Sequence, residues 1–212
     1  MTSPFQQIAP RYAALWSDTP RGRAQRERVW RELDPLFNAG DRILDVGCGT
    51  GDDAVHLASC GVEVVGIDSA SSMVEIARER GVDARQMAIE ELSKLAGELD
   101  GAFDGALSNF GALNCVANLG NVSDALAPMV RPHGMLALCV MSRYCWRNVF
   151  LSNDWRHLIQ RWSGHTEWRG IDVYYRSARS IARSFAPHFE FQRRVSIGHG
   201  DHQLLVLRRR PE

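Results

Sequence analysis

The stretch ILDVGCGTG, Ile43 to Gly51, constrains the fold more than any other. An apolar run ends in an acid, and three glycines then alternate over five positions. Between a strand and a helix, such a turn lets the backbone come close to a bound nucleotide. It also opens an alternation that runs down the chain. Strands are expected at Arg42–Val46, Val62–Ile67, Val82–Ile89, Phe103–Ser108 and in RPHGMLALCVM. Helices are expected at Gly51–Cys60, Ser71–Arg80, Glu90–Ala96 and in segments up to Val130. This order predicts an α/β fold with a parallel sheet covered on both faces. The closing FEFQRRVSIGHGDHQLLVLRRR has two β-like runs around a Gly-His-Gly-Asp turn. Strands joined so tightly are antiparallel.

Two segments lie outside that alternation. Phe5 to Trp16 reads as a short amphipathic helix broken around Pro10. In SDTPRG, Asp18 or Thr19 caps a second helix and Pro20 takes its first position. That helix runs to about Asn38, with Val29, Trp30, Leu33, Leu36 and Phe37 on one face. Arg21, Arg23, Arg26, Arg28 and Arg31 surround the stripe and read as a solvated face. After the fifth strand, about 142–175 leaves the carboxyl edge of the sheet and holds Trp146, Trp155, Trp162 and Trp168. It reads as a helical lid. SARSIARSFAPHF is a further helix. Residues 1–40 thus form an N-terminal helical lid and 41–212 the main domain.

Lys plus Arg is 25 and Asp plus Glu is 25, so the formal net charge is zero. That disfavours duplex nucleic acid, whose partners carry a basic excess. The five cysteines, an odd number without paired spacing, argue against a disulfide framework and for a reducing, cytoplasmic setting. No Cys-x-x-Cys or Cys/His cluster has zinc spacing, and no metal is expected. No run of eighteen apolar residues predicts a membrane span.

The glycine turn is discriminating. Gly47 and Gly49 fit a dinucleotide fingerprint, but Asp52 stands where its third glycine belongs. Asp52 and Asp53 open the following helix, where a pyrophosphate would sit and be repelled. No Gly-Lys-Ser/Thr follows, which excludes a triphosphate loop. A nucleoside cofactor that is not anionic remains. S-adenosyl-L-methionine fits: the loop allows close approach, and Asp68 at the end of VVGID supplies two acceptors for a ribose diol.

ILDVGCGTG followed by EVVGIDSASSMVEIAR, FDGALSNFGALNCV and LAPMVRPHGMLAL resembles the class I S-adenosylmethionine-dependent methyltransferases, over roughly residues 40–141. The tail YYRSARSIARSFAPHFEF resembles the late helix and sixth strand of bacterial small-molecule members. The resemblance implies a Rossmann-like, doubly wound, mostly parallel seven-stranded sheet with an antiparallel last strand. It implies that Asp45, Gly47, Cys48 and Gly49 line the methionine end, and that Asp68 holds the ribose with Ser69 and Met73 near the adenine. Ala88 and Ile89 flank the adenine's other side, while Ser108 and Asn109 face the sulfonium and amino group. Tyr12 and Trp16 resemble an N-terminal lid. One departure is Ala88, where relatives often carry an acid for the adenine amino group. The adenine is then expected to be held mainly by the Ile89 backbone and apolar contact, with Glu90 either substituting for the acid or capping the next helix.

The expected chemistry is in-line SN2 methyl transfer to a small apolar or aromatic acceptor. No catalytic residue is fixed; His165 and Tyr174 are the candidates for a base. His199 and His202 reach the same edge of the sheet but too far out along it. SNFG is not the motif of base or glutamine amino-methylating enzymes. An RNA or protein methyltransferase docking through the arginine-rich helix, or a non-catalytic cofactor-binding protein, remain the alternatives. A monomer or homodimer is expected.

Overall fold

The computed structural model describes residues 4–96, 103–143 and 163–211. Among them, seven strands form one sheet in the order β3-β2-β1-β4-β5-β9-β8. The strands are β1 Arg42–Val46, β2 Glu63–Asp68, β3 Asp83–Gln86, β4 Phe103–Ser108, β5 Val130–Met141, β8 Phe189–Ile197 and β9 His202–Arg209. β1 pairs in parallel with β2 and β4, β2 with β3, and β4 with β5. β9 runs antiparallel between β5 and β8, as a short turn between the last two strands requires. The order reverses beside β1, between β2 and β4, and in such sheets ligands bind at the carboxyl ends of the strands there.

Helices cover both faces: α2 Pro20–Leu33, α3 Asp52–Ser59 and α4 Ser71–Glu79, then α5 Ser93–Ala96, α6 Leu119–Met129 and α7 Ala178–Phe185. One core layer joins Leu44, Ile67, Phe103, Leu126, Phe185 and Phe189; the other joins Val29, Leu33, Ile43, Leu57, Leu107 and Val206. The β1 and β4 bounds match the sequence expectation to the residue.

Three expected elements differ. α2 stops at Leu33 rather than near Asn38, because Pro35 brings no amide proton to continue the helical hydrogen bonding. The strand expected at Val82–Ile89 shrinks to Asp83–Gln86. It is an edge strand, and at Met87 the chain turns to donate to the Asp68 carbonyl at 2.9 Å. The following helix splits into a tight turn, Ile89–Glu91, and α5.

The N-terminal break at Pro10 is real. α1, Pro4–Ile8, is followed by single turns at Ala9–Arg11 and Ala13–Ser17. Thr19 is the cap of α2, its hydroxyl accepting from the Gly22 amide at 3.0 Å, and Pro20 opens the helix. α1 lies on α4, with Ile8 and Ala9 packed on Ala70 and Met73.

In the expected helical lid, the described part is a β-hairpin, β6 His165–Trp168 and β7 Ile171–Tyr174. Trp146, Trp155 and Trp162 lie outside the described residues. Asn114 pins the hairpin to the sheet: its amide donates to the Tyr174 carbonyl at 2.7 Å and its oxygen accepts from the Met141 amide at 2.8 Å. Trp168 touches Phe5 of α1, ring centroids 5.7 Å apart. No helix among the described residues is long and apolar enough to cross a membrane.

Candidate functional site

The turn after β1 requires left-handed backbone at Gly47, Gly49 and Gly51, with φ of 80°, 54° and 79°. It is stapled to the neighbouring strand: the amides of Gly47 and Cys48 donate to the Ile67 carbonyl at 2.8 and 2.9 Å. A Cβ on Gly47 would come within 2.3 Å of the Ala112 side chain. Among the described residues, a Cβ on Gly49 would meet nothing within 4 Å. Gly47 is thus a packing necessity, whereas the space above Gly49 is open.

Asp68, at the end of β2, faces this opening. One carboxylate oxygen accepts from the Gly49 amide at 3.0 Å and the other from the Ala70 amide at 2.9 Å. Burial raises its pKa, and these two amides oppose the rise. Asp45 is deeper, 1% exposed. Burial, and then repulsion from Asp53, holds its carboxyl well above the ordinary range.

The opposite wall comes from β4. Asn109 and Phe110 follow it, and Phe110 adopts φ 52°, costly for a bulky residue and concentrated at functional sites. Asn109 is buried; its amide donates to Asp53 Oδ2 at 3.0 Å. Asp53 Oδ1 also accepts from Arg26 Nη1 at 2.8 Å and from the Trp30 indole at 2.7 Å. Asp52 beside it accepts from Ser17 and from Arg80, each at 2.6 Å, and pairs with Arg26 at 3.2 Å. Burial raises the Asp52 pKa, but Arg26, Ser17 and Arg80 outweigh it and the net shift is downward.

Arg26 is the residue sequence reasoning missed. Expected on a solvated face, its side chain is 11% exposed and spans Asp52, Asp53 and the Phe110 ring, the last at 4.7 Å. Burial opposes its charge, and Asp53 and Asp52 more than compensate, raising its pKa. The signal was present in the spacing: Arg26 precedes Val29, Trp30 and Leu33 by three, four and seven residues, on the buried stripe itself. Among the other arginines of that face, Arg21 pairs with Asp201 and Arg28 with Glu32.

A small open cleft lies between these walls, lined by Tyr12, Arg26, Gly47, Cys48, Gly49, Thr50, Asp52, Asp53, Asn109 and Phe110. Five of the residues predicted for cofactor binding therefore meet in one place: Tyr12, Gly47, Cys48, Gly49 and Asn109. Asp45 and Asp68 adjoin them. Among the described residues, three buried polar atoms in or next to the cleft lining have no hydrogen-bond partner: Asp45 Oδ2, Asn109 Oδ1 and Arg26 Nε. Two are acceptors and one is a donor. Such orphans are costly unless a ligand satisfies them.

The remaining predicted residues lie as follows. Ser69 is exposed, and Ala88 and Ile89 are half-buried. Met73 is buried in the α1–α4 contact. Ser108 is buried, its hydroxyl donating to the Val46 carbonyl at 2.7 Å. The Cys48 thiol is driven up by burial and by nearby Asp45, away from nucleophile chemistry. Trp16 is exposed. His165 Nε2 meets Asp172 Oδ1 at 2.7 Å on the hairpin, and both side chains are half exposed. Tyr174 lies against the His165 ring, 5.0 Å between centroids. His202 was expected too far out along the sheet. Instead β9 lies directly beside β5, and the His202 ring stands edge-on to Phe110 at 5.6 Å. The side chain of His199 lies outside the described residues.

A family model described as a methyltransferase domain matches residues 20–191. The chain is 33% identical over 114 residues to a ubiquinone biosynthesis O-methyltransferase of Xanthomonas oryzae, covering 50% of this chain and 45% of that protein. It is 34% identical over 127 residues to a ubiquinone/menaquinone biosynthesis C-methyltransferase of Citrifermentans bemidjiense, covering 57% and 54%. The chain thus spans about half the length of the curated relatives it matches. A crystal structure of an S-adenosylmethionine-dependent methyltransferase from Mesorhizobium loti superposes with a TM-score of 0.68 at 18% identity, covering 85% of this chain and 97% of that one.

Proposed function

Because the chain belongs to the methyltransferase-domain family, we propose that it transfers a methyl group from S-adenosyl-L-methionine to a small apolar or aromatic acceptor. The orphan set around the cleft carries this reading. A zwitterionic amino-acid end needs acceptors for its ammonium and a donor for its carboxylate. Asp45 Oδ2 and Asn109 Oδ1 supply the first, and Arg26 Nε the second. Nothing in the set favours a phosphate: Asp52 and Asp53 line the cleft, Asp45 and Asp68 adjoin it, and Arg26 is already paired with two of these acids.

S-adenosyl-L-methionine, when bound, supplies a methyl already activated by its cationic sulfur. Gly49 leaves room for its close approach, and Asp68 would hold the ribose, already oriented by the Gly49 and Ala70 amides. Asn109 and Phe110 would form the wall between the methionine end and the acceptor. The protein's task is then alignment and exclusion of water, worth about 7–11 kcal/mol in favourable cases. Where the acceptor must lose a proton, a base adds about 10²–10⁴-fold. His165 and Tyr174 are the proposed candidates.

Residues 1–40 act as a lid on the domain of residues 41–212. Ile8 and Ala9 pack on Ala70 and Met73, on the side where the adenine is expected, which supports a covering role for this segment. The relatives named above are, by their printed names, a ubiquinone biosynthesis O-methyltransferase and a ubiquinone/menaquinone biosynthesis C-methyltransferase, which supports a small acceptor. The protein works in the cytoplasm as a monomer or homodimer. The test is incubation of purified protein with labelled methyl donor and a metabolite extract, followed by mass spectrometry. A labelled small molecule is expected; label only in RNA or protein would overturn the reading.

A further inference from the structure

We propose that Asp34, His56 and Cys60 form a site for a zinc-like divalent cation where the end of α2 meets α3. His56 and Cys60 lie four residues apart on and just after α3, so they share one side of the helix. Asp34 ends α2, twenty-two residues before His56, and only the packing of α2 on α3 brings it there. One ligand atom from each residue lies within 4.8 Å of the other two. It is the one such three-donor group among the described residues. Around an ion, sulfur and nitrogen ligands at about 2.3 and 2.0 Å stand some 3–4 Å apart, so closure takes only small side-chain movement.

The donor chemistry selects the ion. A thiol, an imidazole and one carboxylate suit zinc, and cobalt as its surrogate. Calcium and magnesium require more oxygen donors. Three protein ligands leave a fourth corner for water. The imidazole is already held in orientation, stacked on the Trp30 ring with centroids 4.1 Å apart and planes at 1°. Its Nε2 lies 2.7 Å from Asp34 Oδ1, a position in which a cation replaces the shared proton. Cys60 is exposed, so its sulfur is accessible.

Trp30 connects this cluster to the cleft, because its indole donates to Asp53 at 2.7 Å. A bound ion would tie the end of α2 to the end of α3 and hold Trp30 in place. The site does not depend on the proposed methyl transfer.

Cobalt(II) titration of the full-length protein, followed by absorption, tests the proposal. One equivalent is expected to bind, with a sulfur-to-cobalt charge-transfer band that one equivalent of zinc abolishes. Cys60→Ser should remove the band. Asp34→Asn should weaken cobalt binding at least tenfold and leave the thermal midpoint without metal nearly unchanged. Cys145→Ser is the control and should keep the band. Absence of the band, its survival in Cys60→Ser, or its loss in Cys145→Ser would each overturn the assignment.

Discussion

Arg26 and Asp53, separated by 27 residues in the chain, meet at 2.8 Å, and the same guanidinium reaches Asp52 at 3.2 Å. This pairing anchors the N-terminal helix to the first turn of α3 and places a buried cation beside the cleft. Removing one partner of a buried pair leaves the other charge unpaired, at a cost of about 3–5 kcal/mol. Arg26→Met should lose stability of that order in urea denaturation. Adding Asp53→Asn to Arg26→Met should restore part of the loss. A cost below about 1 kcal/mol for the single variant would show that the pair is solvated and the helix anchored otherwise.

Gly47 and Gly49 separate packing from binding. Gly47→Ala puts a methyl 2.3 Å from Ala112 at φ 80°, so strain and overpacking together should cost about 3 kcal/mol of stability. Gly49→Ala meets no neighbour and should cost only about 1 kcal/mol from its left-handed backbone. Its effect belongs to the ligand: affinity for S-adenosylhomocysteine in calorimetry should fall at least about tenfold, the size of one lost close contact. Normal affinity in Gly49→Ala would move the ligand away from this turn.

Asp68→Ala should weaken S-adenosylhomocysteine binding on the order of a hundredfold, the worth of hydrogen bonds to a charged acceptor. Asp68→Asn keeps an acceptor for the loop amides and should fall between the variant and the parent. Equal affinity in all three proteins would remove the ribose assignment.

Asp45 gives a pH signature. Its folded pKa is raised by burial and by Asp53, so the native state holds this proton more tightly than the unfolded chain. The stability it contributes is present below the unfolded value, about 4, and is lost as pH rises toward the folded pKa. Asp45→Asn should therefore be more stable than the parent at pH 7, with the difference closing as the pH falls below about 4. It should also bind S-adenosylhomocysteine more weakly, because a carboxamide cannot ionise opposite the ligand's ammonium. Urea melts at several pH values, with calorimetry at pH 7, check both halves.

The lid reading predicts ligand-dependent protection. Arg11 is exposed between α1 and the cleft residue Tyr12. Tryptic cleavage after Arg11 should slow several-fold when S-adenosylhomocysteine is present. An unchanged rate would mean that this segment does not close on the ligand.

Local physics made much of the fold legible. Hydrophobic periodicity and turn residues act within a few positions, so the bounds of β1 and β4, the cap at Thr19 and the glycine turn could be read directly. Asp68 was legible for the same reason: an acid ending the second strand of an alternating pattern faces the carboxyl edge. The end of α2 was read near Asn38, although Pro35 carried the signal that stops the helix at Leu33. The hairpin at His165–Tyr174 was hidden because four-residue strands lacking regular alternation carry little signal.

The sequence by itself determined the order of strands and helices, the left-handed turn at Gly47 to Gly51 and the acids placed at strand ends. Each follows from backbone geometry and neighbours close in the chain. The tertiary structure alone decided that Arg26, Trp30 and Asn109 converge on Asp53, that His202 stands against Phe110, and that Asp34 reaches His56 and Cys60. Those contacts join residues that the chain keeps far apart, and their distances are fixed only when α2 packs on the sheet and β9 inserts between β5 and β8.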